Sequence, residues 1–113
     1  MNAVLYLRSA VKDEEKIKQQ RTICQELAAE LNAIIDAEFV DNGVPGQAAD
    51  RPGLRALLSR LDKTHVDCVI MTHGYRLARK MDQYLKLITQ IGSFGTTVVT
   101  LDKHVYIFGG KRS

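Results

Sequence analysis

Proline and cysteine are scarce in this chain, at two residues each of 113, and the eight glycines follow no Gly-X-Y period. That composition excludes a collagen-like repeat and a low-complexity disordered chain. Two cysteines, Cys24 and Cys68, are too few for a disulfide framework and suit a reducing compartment, so the expected location is cytoplasmic. No run approaches the ~18 consecutive apolar residues of a membrane span, and no charged-then-apolar leader opens the chain. Neither GxGxxG nor a Walker lysine loop follows the first expected strand, which leaves no signal for a nucleotide cofactor. What is present, 45% hydrophobic and 26% charged residues, is the composition of one globular domain over residues 1–113. A chain of this length buries roughly two thirds of its unfolded surface.

Charge is unevenly spread. Residues 1–50 carry five Lys/Arg against nine Asp/Glu, a net −4; residues 51–113 carry eleven against four, a net +7, and together they give +3. The basic half suits an anionic partner such as nucleic acid, although a pI near 9 is common in proteins without one.

Residues 3–7 form a short apolar run closed by Arg8 and Ser9, which reads as a buried strand. Acids at 13–15 open a helix whose stripe of Ile17, Gln20, Cys24, Leu27, Ala28 and Leu31 carries it to about Asn32. A second strand is expected over 33–40, then a loop rich in Gly and Pro. Asp50 is the expected cap of a second helix with Pro52 in its first turn and Leu54, Leu57, Leu58 and Leu61 inward. A third strand over 66–71 precedes a helical stripe of Leu77, Met81, Tyr84, Leu85, Ile88 and Ile91, ended by Gly92. Strands over 96–101 and 105–108 complete the chain. The alternation predicts a three-layer α/β domain with a mostly parallel sheet, the fifth strand antiparallel at the edge.

In open parallel sheets, ligands bind beyond the carboxyl ends of the strands. Those ends carry Arg8 and Ser9, Asp41 and Asn42, then Thr72 to Arg76 with Arg79 a turn later, and Asp102. Three arginines near one sheet edge suit a phosphate, which guanidinium groups grip bidentately. The alternative is that Arg8, Arg76 and Arg79 are surface residues paired with acids. No metal is expected: His65 and His73 flank a strand spanning roughly 25 Å, too long for one ion, and Cys68 lies inside it. The four tyrosines are scattered in sequence, and no aromatic base-stacking platform is apparent.

At these positions the chain resembles the serine recombinases, the resolvase/invertase family. Tyr6-Leu7-Arg8-Ser9-Ala10 resembles its Tyr-x-Arg-x-Ser motif, and Gln20-Arg21 with Cys24 its Gln-Arg-x-x-Cys. Asp41-Asn42-Gly43-Val44-Pro45-Gly46 is similar to Asp-x-Gly-x-Ser-Gly, and Arg51-Pro52-Gly53-Leu54 to Arg-Pro-Gly-Leu. Tyr75-Arg76-Leu77-Ala78-Arg79 is similar to Asp-Arg-Leu-x-Arg. Five motifs in the family's order cover nearly all of residues 3–102.

The resemblance implies a resolvase-type sheet, strand order 2-1-3-4 with a fifth at the edge, and metal-free, cofactor-free DNA strand exchange. A serine hydroxyl would attack a phosphodiester, leaving a 5′-phosphoseryl link and a free 3′-hydroxyl, while arginines stabilise the charge on the nonbridging oxygens. Arg8, Arg51, Arg76 and Arg79 would be those arginines, Arg60 would stand at a basic helix position, and Gln20 would hold a phosphate or the nucleophile loop. Asp41 and Tyr75 fall in the same site. Implied partners are the DNA backbone and a second copy or a related recombinase, with no membrane. The family's dimerisation helix and DNA-binding region lie past the motifs found here.

Three departures bear on activity. Ala10 falls at the nucleophile position, Tyr75 replaces the motif's aspartate, and Pro45 replaces a loop serine. Ser9 is adjacent, but a shift of one residue near a strand end redirects the side chain. Two readings follow: a recombinase domain impaired in cleavage unless Ser9 acts, or a non-catalytic module that binds DNA or a related recombinase. A small-molecule binder is the weakest reading, since it lacks any glycine-rich loop.

Overall fold

The structure is a computed structural model that describes residues 1–101 and the backbone of residues 105 and 106. Its parallel strands are β1 (Asn2–Ser9), β2 (Ile34–Asn42), β3 (Cys68–Ile70) and β4 (Thr97–Val99). They lie in the order β2-β1-β3-β4, with parallel pairing at each junction. The helices are α1 (Glu14–Glu30), α2 (Pro52–Lys63) and α3 (Met81–Ser93). Val105–Tyr106 pairs antiparallel with β4, Tyr106 opposite Val98; the rest of the expected fifth strand, and Asp102, lie outside the described residues. No helix among the described residues is long and apolar enough to cross a membrane.

Strand alternation sorts the core into two layers. Ala3, Leu5 and Leu7 of β1 join Cys68 and Ile70 of β3 against Ile17, Cys24, Leu27 and Ala28 of α1. Val4, Tyr6 and Val69 face the other way, onto Leu54, Leu57 and Leu61 of α2 and Ile88 and Ile91 of α3. The three-layer expectation therefore holds, with α1 on one face and α2 and α3 on the other. β1 is central and buried on both faces, which is why it reads as a continuous apolar run.

Several boundaries move. β1 extends through Ser9 and β2 through Asn42, because parallel pairing of Arg8 with Asp41 and Ser9 with Asn42 prolongs both strands. α1 stops at Glu30; Leu31 is its exposed C-cap rather than a core residue, and Asn32 turns the chain with φ 55°. The helical stripe expected from Leu77 splits. Gly74–Arg76 forms a 3₁₀ turn, Leu77 is buried in the link that follows, and α3 begins only at Met81. Met81 and Leu85, expected in the core, are exposed. α3 runs one residue past Gly92, to Ser93, before Gly95 reverses the chain at φ +79°. β3 and β4 are shorter than the apolar runs that mark them, since a buried run continues where ladder pairing has ended.

Asp50 does not cap α2; it pairs with Arg55 on the surface. The cap comes from β2 instead. Asp41 Oδ1 accepts the Gly53 amide at 2.6 Å and Oδ2 the Leu54 amide at 3.0 Å, so a carboxylate sits at the positive end of the helix. The approach is close enough that a Cβ on Gly53 would lie 2.7 Å from the Val40 carbonyl oxygen. Glycine is needed there for α2 to meet β2.

Candidate active site

The candidate residues gather at the carboxyl ends of β1, β2 and β3, and two arginines organise them. Arg8, 3% exposed, continues the Val4–Tyr6 face of β1 toward α2 and α3. Its Nε donates to the Arg76 carbonyl at 2.8 Å, Nη1 to that of Val44 at 3.1 Å and Nη2 to that of Tyr75 at 3.0 Å. Arg51, 8% exposed, sits at the N-cap of α2. Its Nη1 donates to the carbonyls of Gly46, at 3.0 Å, and Leu77. Its Nη2 donates to the Arg76 carbonyl and to Tyr6 Oη, both at 2.8 Å. Tyr6 Oη in turn donates to Asp41 Oδ2 at 2.7 Å, which completes a buried chain from Arg51 through Tyr6 to Asp41 and on to the α2 amides. Burial raises the Tyr6 hydroxyl far above its ordinary pKa, Arg51 opposing the shift.

Neither expectation for these arginines survives intact. Among the described residues Arg8, Arg76 and Arg79 pair with no acid, the ion pairs there being Arg21–Glu38, Arg55–Asp50 and His65–Asp67. Nor do Arg8, Arg76 and Arg79 present one open three-arginine anion site, because Arg8 is buried with its guanidinium taken up by backbone carbonyls. Burial foremost, and then repulsion from Arg51, holds the Arg8 guanidinium below its ordinary pKa; Arg76 and Arg79 add to the repulsion. The solvent-facing cations are Arg79, exposed, and Arg76, half-buried. Arg76 Nε donates to Thr72 Oγ1 and Nη1 to the Arg8 carbonyl, each at 3.2 Å. Arg60 lies in the last turn of α2, roughly 13 Å along the helix from Arg51 at 1.5 Å per residue, and does not join the cluster.

Gln20 bonds to the backbone near the end of β1. Its Oε1 accepts the Arg8 amide at 3.1 Å and its Nε2 donates to the Arg8 carbonyl at 2.9 Å, so α1 supplies a strand-like pair of bonds at that position. Ser9 faces α1, the side opposite Arg8. It is 1% exposed, and its hydroxyl donates to the Val11 carbonyl at 2.6 Å. Ala10, just past the strand, is exposed. The surface position is therefore residue 10, and it carries a methyl group.

Tyr75, 40% exposed, stacks on His73 with ring centroids 4.9 Å apart and planes 9° from parallel. The guanidinium carbons of Arg76 and Arg79 lie 4.9 Å and 5.9 Å from its ring centroid. Where an aspartate would offer these arginines an ion pair, the tyrosine offers a π face. The sequence did not disclose this pairing of rings; the 3₁₀ turn at Gly74–Arg76 brings residues 73 and 75 together. Tyr6 was also missed as a site residue; its place two residues before Arg8, on the same strand face, was the available signal. Among the described residues no cluster of three His, Cys, Asp or Glu could hold a metal ion.

Comparison with known proteins places this architecture. The chain matches the family described as "Resolvase, N terminal domain" over residues 3–109. No curated protein is significantly similar to it in sequence. Among solved structures it is similar to the N-terminal catalytic domain of TP901-1 integrase, at TM-score 0.83 and 18% identity over 90% of this chain and 79% of that one. It is also similar to the C-terminal catalytic domain of ISC1926 TnpA, an IS607-like serine recombinase, at TM-score 0.80 and 20% identity over 89% and 70%. A resolvase family site-specific recombinase from Streptococcus pneumoniae matches at TM-score 0.81 and 16% identity over 93% and 75%. The fold is that of a serine recombinase catalytic domain. The chain belongs to the resolvase N-terminal domain family.

Proposed function

We propose that this chain is a site-specific recombinase domain impaired in strand cleavage, which acts by engaging DNA phosphates without cutting them. The observation that carries the reading is the placement of the two residues at the end of β1. Ser9 points to the α1 face with its hydroxyl bonded to the Val11 carbonyl, while the exposed neighbour is Ala10. Forming a phosphoseryl bond needs a hydroxyl within reach of phosphorus and in line with the departing oxygen. A methyl group cannot attack, and Ser9, itself buried, would have to give up its bond to the Val11 carbonyl and cross the strand. Phosphate attraction is supported by Arg76, Arg79 and Lys80 at the surface and by the mutual repulsion among the guanidinium groups, which a bound anion relieves. Binding of this kind is mostly to backbone phosphates and falls steeply with salt.

The test is a search for a covalent protein–DNA adduct on denaturing gels, with supercoiled DNA bearing a related recombinase site. The unaltered chain, Ser9→Ala and Ala10→Ser are compared. No adduct is expected from the unaltered chain or from Ser9→Ala. Little is expected from Ala10→Ser, since Tyr75 still stands in place of an aspartate. An adduct from the unaltered chain that vanishes in Ser9→Ala would make Ser9 the nucleophile and end the proposal.

A further inference from the structure

We infer that the hollow beside Arg79 seats one unstacked nucleotide of DNA, its base among Tyr75, Tyr84 and Met81 and its phosphate on Arg79 and Lys80. The inference rests on the proposed reading that the domain engages DNA. The hollow measures about 200 Å³ and is lined by Gly74, Tyr75, Ala78, Arg79, Met81 and Tyr84. Its walls are aromatic and apolar yet open, with Met81 67% exposed, an arrangement the core does not need. A second hollow of about 260 Å³ shares Arg79 and adds Lys80, Gln47, Gln83 and Gly46, with no acid in its lining. Arg79 thus divides an apolar seat from a cationic one, and a nucleotide has that same division between its base and its phosphate.

Two features prepare the apolar seat. His73 stacks on Tyr75, which fixes the ring before any ligand arrives and so lowers the ordering cost of binding. Gly74 lets Tyr84 close in, because a Cβ at residue 74 would lie 2.8 Å from the Tyr84 ring and hydroxyl. Arg79 sits at the outer limit of cation–π reach from Tyr75, 5.9 Å from the centroid. An incoming base displaces it from the ring toward the phosphate. Arg76, whose guanidinium carbon lies 4.9 Å from the same centroid and which is held by two 3.2 Å bonds to Thr72 and the Arg8 carbonyl, moves off the ring with it. Stacking on an aromatic side chain beside a cationic groove is how single-stranded DNA is held without regard to sequence.

The experiment measures fluorescence anisotropy of a labelled oligo(dT) and of a duplex of equal length, against the parent chain, Tyr75→Ala, Tyr75→Phe and Arg79→Gln. Circular dichroism confirms that each variant is folded. Tyr75→Ala is expected to weaken oligo(dT) binding roughly five- to 150-fold, the range for losing one stacked base, and duplex binding several-fold less. Tyr75→Phe should bind oligo(dT) like the parent. Arg79→Gln should weaken both and reduce the salt slope for the oligonucleotide by about 0.7, one phosphate's share. The chain has no tryptophan, so Tyr75→Trp supplies a single reporter, whose emission should be quenched by oligo(dT) and not by inorganic phosphate. An unchanged oligonucleotide-to-duplex ratio in Tyr75→Ala, or an indole that ignores oligo(dT), overturns the inference while leaving DNA binding standing. A parent chain that binds neither nucleic acid overturns the inference and the proposed function together.

Discussion

Replacing Arg51 with methionine keeps most of the side-chain volume and removes four donated hydrogen bonds. If the buried guanidinium braces the site, the variant loses stability; if it serves only to hold phosphate, the variant keeps it or gains from relieved repulsion with Arg8. The structure allows the cost to be worked out. The Arg76 carbonyl keeps its bond from Arg8 Nε, and Tyr6 keeps its bond to Asp41. The carbonyls of Gly46 and Leu77 lose theirs. A buried acceptor left unsatisfied costs about 1–3 kcal/mol. Gly46 is near enough to the surface to recover a water, and removing a buried charge returns part of its desolvation cost. The net loss is about 2 kcal/mol, a large share of the ~5–15 kcal/mol that holds a domain of this size. Urea unfolding followed by circular dichroism at 222 nm reads it as a lower midpoint at unchanged slope, and thermal melting as a fall of about 8 °C. A loss below ~0.5 kcal/mol would refute the bracing role and return Arg51 to the phosphate-binding set.

Gly53→Ala should cost about 2 kcal/mol in the same assay. The new Cβ meets the Val40 carbonyl and the Asp41 carboxyl carbon, which outweighs alanine's better helix propensity; a stabilised variant would show that α2 can back away from β2. Burial pushes the Cys24 thiol up to about 12 and the Cys68 thiol up to about 11, both above the ordinary thiol range. The unfolded chain therefore releases these protons first as pH rises, so stability is full below about pH 9 and falls above it, through the range of the folded values. Thiol-directed reagents at pH 8 should label neither cysteine in the native chain and both in urea; rapid native labelling would contradict the buried placement.

Much of the architecture was legible because it is written at short range. The stripe Ile17, Gln20, Cys24, Leu27 and Ala28 repeats at helical spacing and is the buried face of α1. The apolar run of β1 marks a central strand, and the motifs from Tyr6 to Arg79 carried the family. Periodicity names a face without saying what covers it, which is why Met81 and Leu85 were placed in the core and stand in solvent. The same limit applied to capping. Asp50 is of the right type but stands one residue before the N-cap, Arg51, and nothing local discloses that Asp41, arriving from β2, takes both amides.

The sequence by itself determined the alternation of strands and helices, the parity of side chains along β1, and the absence of a hydroxyl at residue 10. All three depend on neighbours within a few positions, where side-chain direction follows directly from backbone geometry. Tertiary structure decided what the arginines do. Arg8 meets the carbonyl of Arg76 across 68 residues, and Arg51 meets Tyr6 across 45. Whether a guanidinium faces phosphate or its own backbone depends on which carbonyls the folded chain leaves bare. Those are set where the 3₁₀ turn and the β2–α2 loop close over the end of β1, so no local pattern in the sequence records them.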